Sequence, residues 1–129
     1  MAFELSTLAL KDTSEIVLRH PVTDEELIDD KGEKAVVTVY GTASKEYRNA
    51  LTSYQNRILG RKGKSVKVEQ EIAEAVDFLV SCTASISGVA VHGEIPKSKD
   101  DFRNIYSDPA FSWLKKQVDD SIGDVSNFL

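Results

Sequence analysis

The stretch "LRHPVTDEELIDDKGEK", residues 18–34, sets His20 beside the carboxylates of Asp24, Glu25, Glu26, Asp29 and Asp30. An imidazole among carboxylates could hold a metal ion or move a proton, so ligand spacing has to decide. An EF-hand loop needs alternating oxygen ligands before a glycine and a glutamate six residues after it. Here Gly32 follows Asp29, Asp30 and Lys31, and Thr38 stands where the glutamate is required. A zinc site wants three or four histidine, cysteine or carboxylate ligands, and the only other histidine is His92, far along the chain. The stretch therefore reads as a solvated connector between two strands.

Other candidates are weaker still. Cys82, the single cysteine, falls in line with an apolar helical stripe, where a thiol is inert core. "GRKGKS" (60–65) follows a helix rather than a strand and lacks P-loop spacing. Arg57, Arg61, Lys62, Lys64 and Lys67 form a basic run with no acid among them, which could meet phosphate or an acidic protein partner. The run has no base-stacking aromatic, so two solvated helix ends and their linker are the simpler reading. Tyr106, Phe111, Trp113 and Phe128 gather aromatics near the C-terminus. Phe111 is aligned with a core stripe, while Trp113, two positions on, lies well round the helix. It either packs against the preceding short helix or anchors a partner. Phe128 is either part of a docked tail or part of a sticky end. These four aromatics are the candidate partner-binding residues.

Periodicity supplies the elements that position these groups. "EIVLRH" (15–20) alternates, and "AVVTVYG" (35–41) is rich in β-branched residues. Pro21 closes the first run and Asp30-Lys31-Gly32 lies between the two, so they pair as an antiparallel hairpin with a long connection. Leu5, Leu8 and Ala9 suggest a short N-terminal helix capped by Ser6 or Thr7. Ser44 caps a helix whose stripe is Tyr47, Ala50, Leu51, Tyr54 and Ile58, ending between Gly60 and Gly63. A second helix over about 66–83 aligns Val68, Ile72, Val76, Leu79 and Cys82, with Phe78 and Val80 widening its apolar face into the most buried helix. "SISGVAVHGEIP" (85–96) is read as a loop with at most a short strand at 89–92. Ser98 and Asp101 form a capping-box variant that opens a helix with Phe102 and Ile105. Asp108-Pro109 restarts the chain, and Phe111, Leu114, Val118 and Ile122 stripe a final helix ended by Gly123. The expected fold is α+β, a small single domain over residues 1–129 with an N-terminal antiparallel β-hairpin and three to five helices.

Composition sets the class. The chain has 129 residues, 41% of them hydrophobic and 29% charged, which suits an ordinary globular domain. A net charge of −5 weighs against nucleic acid as the main partner. One cysteine allows no intramolecular disulfide and fits a reducing compartment. No apolar run approaches the roughly 20 residues of a membrane span. Acidic Glu4 and the lack of a basic n-region argue against a secretory signal, so a cytoplasmic location is expected.

Three pieces in order, "LRHPVTDEEL", "DDKGEKAVVTVYGTASKEYRNAL" and "YSDPAFSWLKKQVDDSIGDVSNFL", cover most of the chain. They combine a strand ending in His-Pro, a glycine-containing hairpin, Ser-Lys-Glu-Tyr-Arg opening a helix and a Gln-Val…Asn-Phe-Leu ending. Together they resemble the tail assembly chaperones of long-tailed (lambda-like) bacteriophages. The segment before Gly88 departs from that pattern, with Ile86-Ser87 where a tryptophan is expected. The resemblance implies a non-enzymatic protein with no cofactor, working in the host cell cytoplasm. Its partner would be the long helical tape measure protein, which it coats before the tail tube forms. Tail tube protein would be met through a frameshift-extended form, and self-association would follow from coating a rod. Such chaperones do not enter the virion. The alternative is a minor tail or head–tail connector protein that stays in the particle.

Overall fold

The computed structural model describes residues 2–129. Three antiparallel strands, β1 (Thr13–Val17), β2 (Val36–Tyr40) and β3 (Thr83–Ser87), lie in the order β1-β2-β3. Four α-helices accompany them: α1 (Lys45–Gly60), α2 (Val68–Ser81), α3 (Lys99–Ser107) and α4 (Ser112–Ile122). The fold is α+β, and β1 with β2 is the antiparallel hairpin that alternation predicts, in the register Ile16 opposite Val37 and Ser14 opposite Val39.

One face of the sheet is apolar because strand side chains alternate. Val37, Val39 and Ile86 are buried on it, and Leu18, Val76, Leu79, Phe102, Ile105, Leu114, Val118 and Ile122 complete a contiguous core. Fully burying a side chain such as Val37 or Val39 contributes about 1.5–3 kcal/mol.

The connection from β1 to β2 is ordered by its backbone. Leu18 N–H donates to Ala35 C=O, Leu27 N–H donates to Leu18 C=O, and Ala35 N–H donates to Leu27 C=O, each at 2.9 Å. This closed triangle ties the chain near residue 27 to both strand ends. Around it, Arg19 bridges Glu26 and Ile28 bridges Lys34. The connector's polar residues serve its turns: His20 Nδ1 accepts from Val22 and Thr23 N–H, and Asp29 Oδ1 accepts from Lys31 and Glu33 N–H.

The helices start where their caps dictate. Ser44 accepts from Tyr47 N–H, and Ser98 with Asp101 completes a reciprocal capping box. Asp108 accepts from Ala110 N–H, with Pro109 opening a single 3-10 turn before α4.

Four expectations are corrected. The N-terminal helix is a single 3-10 turn, Leu5–Leu8, capped by Glu4 rather than Ser6 or Thr7, and Leu5 and Leu8 are exposed. The second helix stops at Ser81, and Thr83–Ser87 is a strand pairing with β2 rather than the start of a loop. The segment 89–92 is no strand: Val91 bridges Glu94 across a turn in which His92 and Gly93 have positive φ. The α2 stripe is buried only in its C-terminal half, because α3 packs there, through Arg103 on Asp77 and Lys99 on Val80 C=O. Val68 and Ile72, in the first turns, remain exposed.

Candidate functional site

The described residues contain no group of three or more histidine, cysteine or acidic side chains placed to hold a metal ion. No helix among them is long and apolar enough to cross a membrane.

Cys82 is fully buried at the end of α2, and burial pushes its thiol up to about 12, with the Lys99 ammonium offsetting part of that rise. Its surroundings are a satisfied polar knot. Thr83 Oγ1 donates to Leu79 C=O at 2.7 Å, so at its 2.7 Å contact with Tyr106 the phenol must be the donor. Lys99 Nζ donates to Val80 C=O, in the last turn of α2, at 3.0 Å and to Thr83 C=O at the start of β3. Desolvation of this tucked ammonium lowers its pKa.

That knot corrects part of the aromatic site. Tyr106, 2% exposed, is a core residue tied to Thr83, and burial raises its phenol to about 12. Phe128, also 2% exposed, is docked: its ring covers Gly41, and its carbonyl accepts from Lys11 N–H at 2.6 Å. Neither presents a surface to a partner. Phe111 and Trp113 are half-buried against the core, with Phe111 lining a cleft of about 360 Å³ beside His92, Ile95 and Pro96. The four aromatics do not form one patch.

The basic run is also divided. Arg57 Nη1 approaches Asp77 at 3.6 Å and Arg61 pairs with Glu74, so both arginines fold back onto α2. Lys62, Lys64 and Lys67 are exposed and make no ion pair among the described residues. The turn that carries them uses positive φ at Lys62 and Gly63.

The larger apolar surface lies between the two helices that this turn joins. Leu51 and Tyr54 of α1 face Ala75, Phe78 and Leu79 of α2 across a groove of about 460 Å³, closed at one end by Lys115, Lys116, Asp119 and Asp120 of α4. Its floor is held by aromatic packing: Phe78 meets Tyr47 edge-on at 5.5 Å and Tyr54 at 6.1 Å between ring centroids. Helical spacing carries the groove outward, since Ile58 lies one turn beyond Tyr54 and Ile72 one turn before Ala75 or Val76. Those residues are 43% and 48% exposed, with Leu59 at 74% and Val68 at 65% beside them. An apolar strip between two antiparallel helices is suited to taking the apolar face of a third helix. The sequence signal for it was present: α1 and α2 carry more apolar residues at helical spacing than one core face consumes.

Comparison of the chain with protein-family models, with curated proteins and with solved structures returns no match.

Proposed function

We propose that the chain is a tail assembly chaperone of a long-tailed bacteriophage, which holds helical segments of the tape measure protein in the α1/α2 groove and helps the tail tube assemble without entering the virion. The observation that carries this reading is the groove itself, lined by Leu51, Tyr54, Ala75, Phe78 and Leu79, with exposed Ile58 and Ile72 one turn further along the same two helices. A helix bound there would shield its own apolar face until tube protein displaces it, which needs modest affinity and many copies. The ordered motifs from His20-Pro21 to Asn127-Phe128-Leu129 support the family. On this reading the protein works in the host cytoplasm, self-associates along the rod, and meets tail tube protein through a frameshift-extended form. It acts through surfaces rather than catalysis.

The test is co-expression with the long helical product of the neighbouring gene. The chaperone should co-purify with that product and keep it soluble. Ile58→Asp with Ile72→Asp, both at half-exposed sites, should abolish this while leaving the circular dichroism spectrum unchanged. Failure of the wild-type protein to co-purify would overturn the proposal. Its recovery from purified particles would instead make it a structural tail component.

A further inference from the structure

The two ends of the α1/α2 groove differ in charge, and we propose that this makes the site directional: it takes an amphipathic helix that carries carboxylates at one end, and seats that end over Lys62, Lys64 and Lys67. The inference rests on the helix-binding reading of the groove.

The asymmetry comes from how the five cations of the run are used. Arg61 pairs with Glu74 on α2, and Arg57 approaches Asp77, which it shares with Arg103. The three lysines beyond them stay in solvent without an ion-pair partner among the described residues. They follow exposed Leu59 and flank exposed Val68 in sequence, so the open end combines an apolar track with an excess of positive charge. Glu69 and Glu71 lie close by in the first turn of α2, where the helix N-terminus favours them. Each stands one residue, about 100°, round the helix from the Val68–Ile72 stripe, which leaves the track itself uncharged.

The α4 end offers no such bias. Lys115 and Lys116 there are matched by Asp119 and Asp120, and Lys116 Nζ is 3.0 Å from Asp120. A helix entering the groove therefore meets a balanced charge set at one end and, at the other, three lysines against the two carboxylates of Glu69 and Glu71, which stand off the track. Like-charge juxtaposition disfavours the wrong orientation and opposite charge favours the right one. The partner is identified by this pattern: an amphipathic helix whose apolar stripe is flanked at one end by glutamate or aspartate.

Two synthetic amphipathic helices of about five turns, identical in their leucine–alanine stripe, test the proposal on the full chain. One carries three glutamates in its first two turns and the other three lysines. The glutamate helix should bind about tenfold more tightly at low salt, with the preference shrinking as salt rises. The triple variant Lys62→Glu, Lys64→Glu and Lys67→Glu should reverse it. A spin label on the glutamate end should broaden the amide signals of residues 62–67 in the wild-type protein.

Equal binding of both helices, loss of neither in the triple variant, or broadening centred on Lys115 and Lys116 would overturn the directional site while leaving the helix-binding groove standing. Binding of neither helix, or binding untouched by Ile72→Asp, would overturn the groove reading itself. Tighter binding to phosphatidylserine vesicles than to the glutamate helix would also overturn the proposal, making the tip a lipid contact.

Discussion

The side-chain amide of Gln117 on α4 makes both bonds of a strand pair with the backbone of Arg19. Arg19 N–H donates to Oε1 at 2.9 Å, and Nε2 donates to Arg19 C=O at 2.8 Å. Arg19 bridges Glu26 on its other side, so its own N–H and C=O point away from the sheet. Gln117 stands where a further strand would begin and blocks that stretch of open edge. Gln117→Ala should cost about 1 kcal/mol, the net worth of an intramolecular hydrogen bond, and should speed hydrogen exchange at the Arg19 amide. Unchanged exchange at Arg19 would mean that the pairing contributes nothing in solution.

Phe128 is a large ring closing the core over Gly41, where an added Cβ would stand 2.6 Å from ring carbons. Phe128→Ala should destabilise by about 3–5 kcal/mol. Gly41→Ala should also destabilise, by expelling the ring. In the Phe128→Ala background the Gly41→Ala change should cost much less, because the two residues share one contact. Urea midpoints of the four proteins decide it, and additive losses would contradict the geometry.

Gly88 is required by its backbone. Its φ is +70°, and a Cβ there would collide with the carbonyl oxygen of Lys34. Both the left-handed conformation and the close approach resist any other residue. Gly88→Ala should lower the melting temperature more than Gly63→Ala, whose glycine has φ +80° and open space around it.

Alkaline pH should unfold the protein through Cys82 and Tyr106. Their ordinary values are 9.0 and 10.0, and burial holds both protons to about 12 in the fold. The unfolded chain releases those protons first. The stability they contribute is full below about pH 9 and is lost as pH rises toward about 12. Lys99 opposes this in part: its lowered value costs stability while the ammonium is charged, and that cost is relieved as pH rises toward the ordinary 10.5. The urea midpoint should fall between about pH 8 and about pH 11, and Tyr106→Phe should reduce the fall. Cys82 should resist thiol reagents until the chain unfolds.

Acid should act at the start of α3. Backbone N–H groups of Lys97 and Ser98 hold Asp101 below its ordinary carboxylate value. The stability it contributes is therefore lost as pH falls through that lowered value. Ser98→Ala, which removes the other half of the capping box, should cost about 1 kcal/mol. A stability unchanged by Ser98→Ala would show that the box adds nothing to α3.

Local chemistry made much of this fold legible. Ser44 and Ser98 cap the helices they were expected to cap, because a cap joins residues three positions apart or fewer, whereas Asp108 caps only the 3-10 turn that precedes α4. The hairpin of β1 and β2 is legible because β-branched residues alternate along it. β3 is not: in Thr83-Ala84-Ser85-Ile86-Ser87 only Ile86 is a large apolar residue, and its register against β2 is broken by a bulge at Thr38 and Val39. Its strand character comes from a partner more than forty residues earlier in the chain.

The sequence by itself determined where α1 and α3 begin, which residues could enter a core, and that the acidic connector has no ligand spacing. Those follow from short-range hydrogen bonding and side-chain period, which neighbouring residues settle among themselves. Only the tertiary structure decided which apolar residues the core consumes. It buried Tyr106 and Phe128 and left Ile58, Leu59, Val68 and Ile72 in solvent. A stripe records that a helix face is apolar, whereas exposure depends on what packs against it, and α3 meets only the later turns of α2.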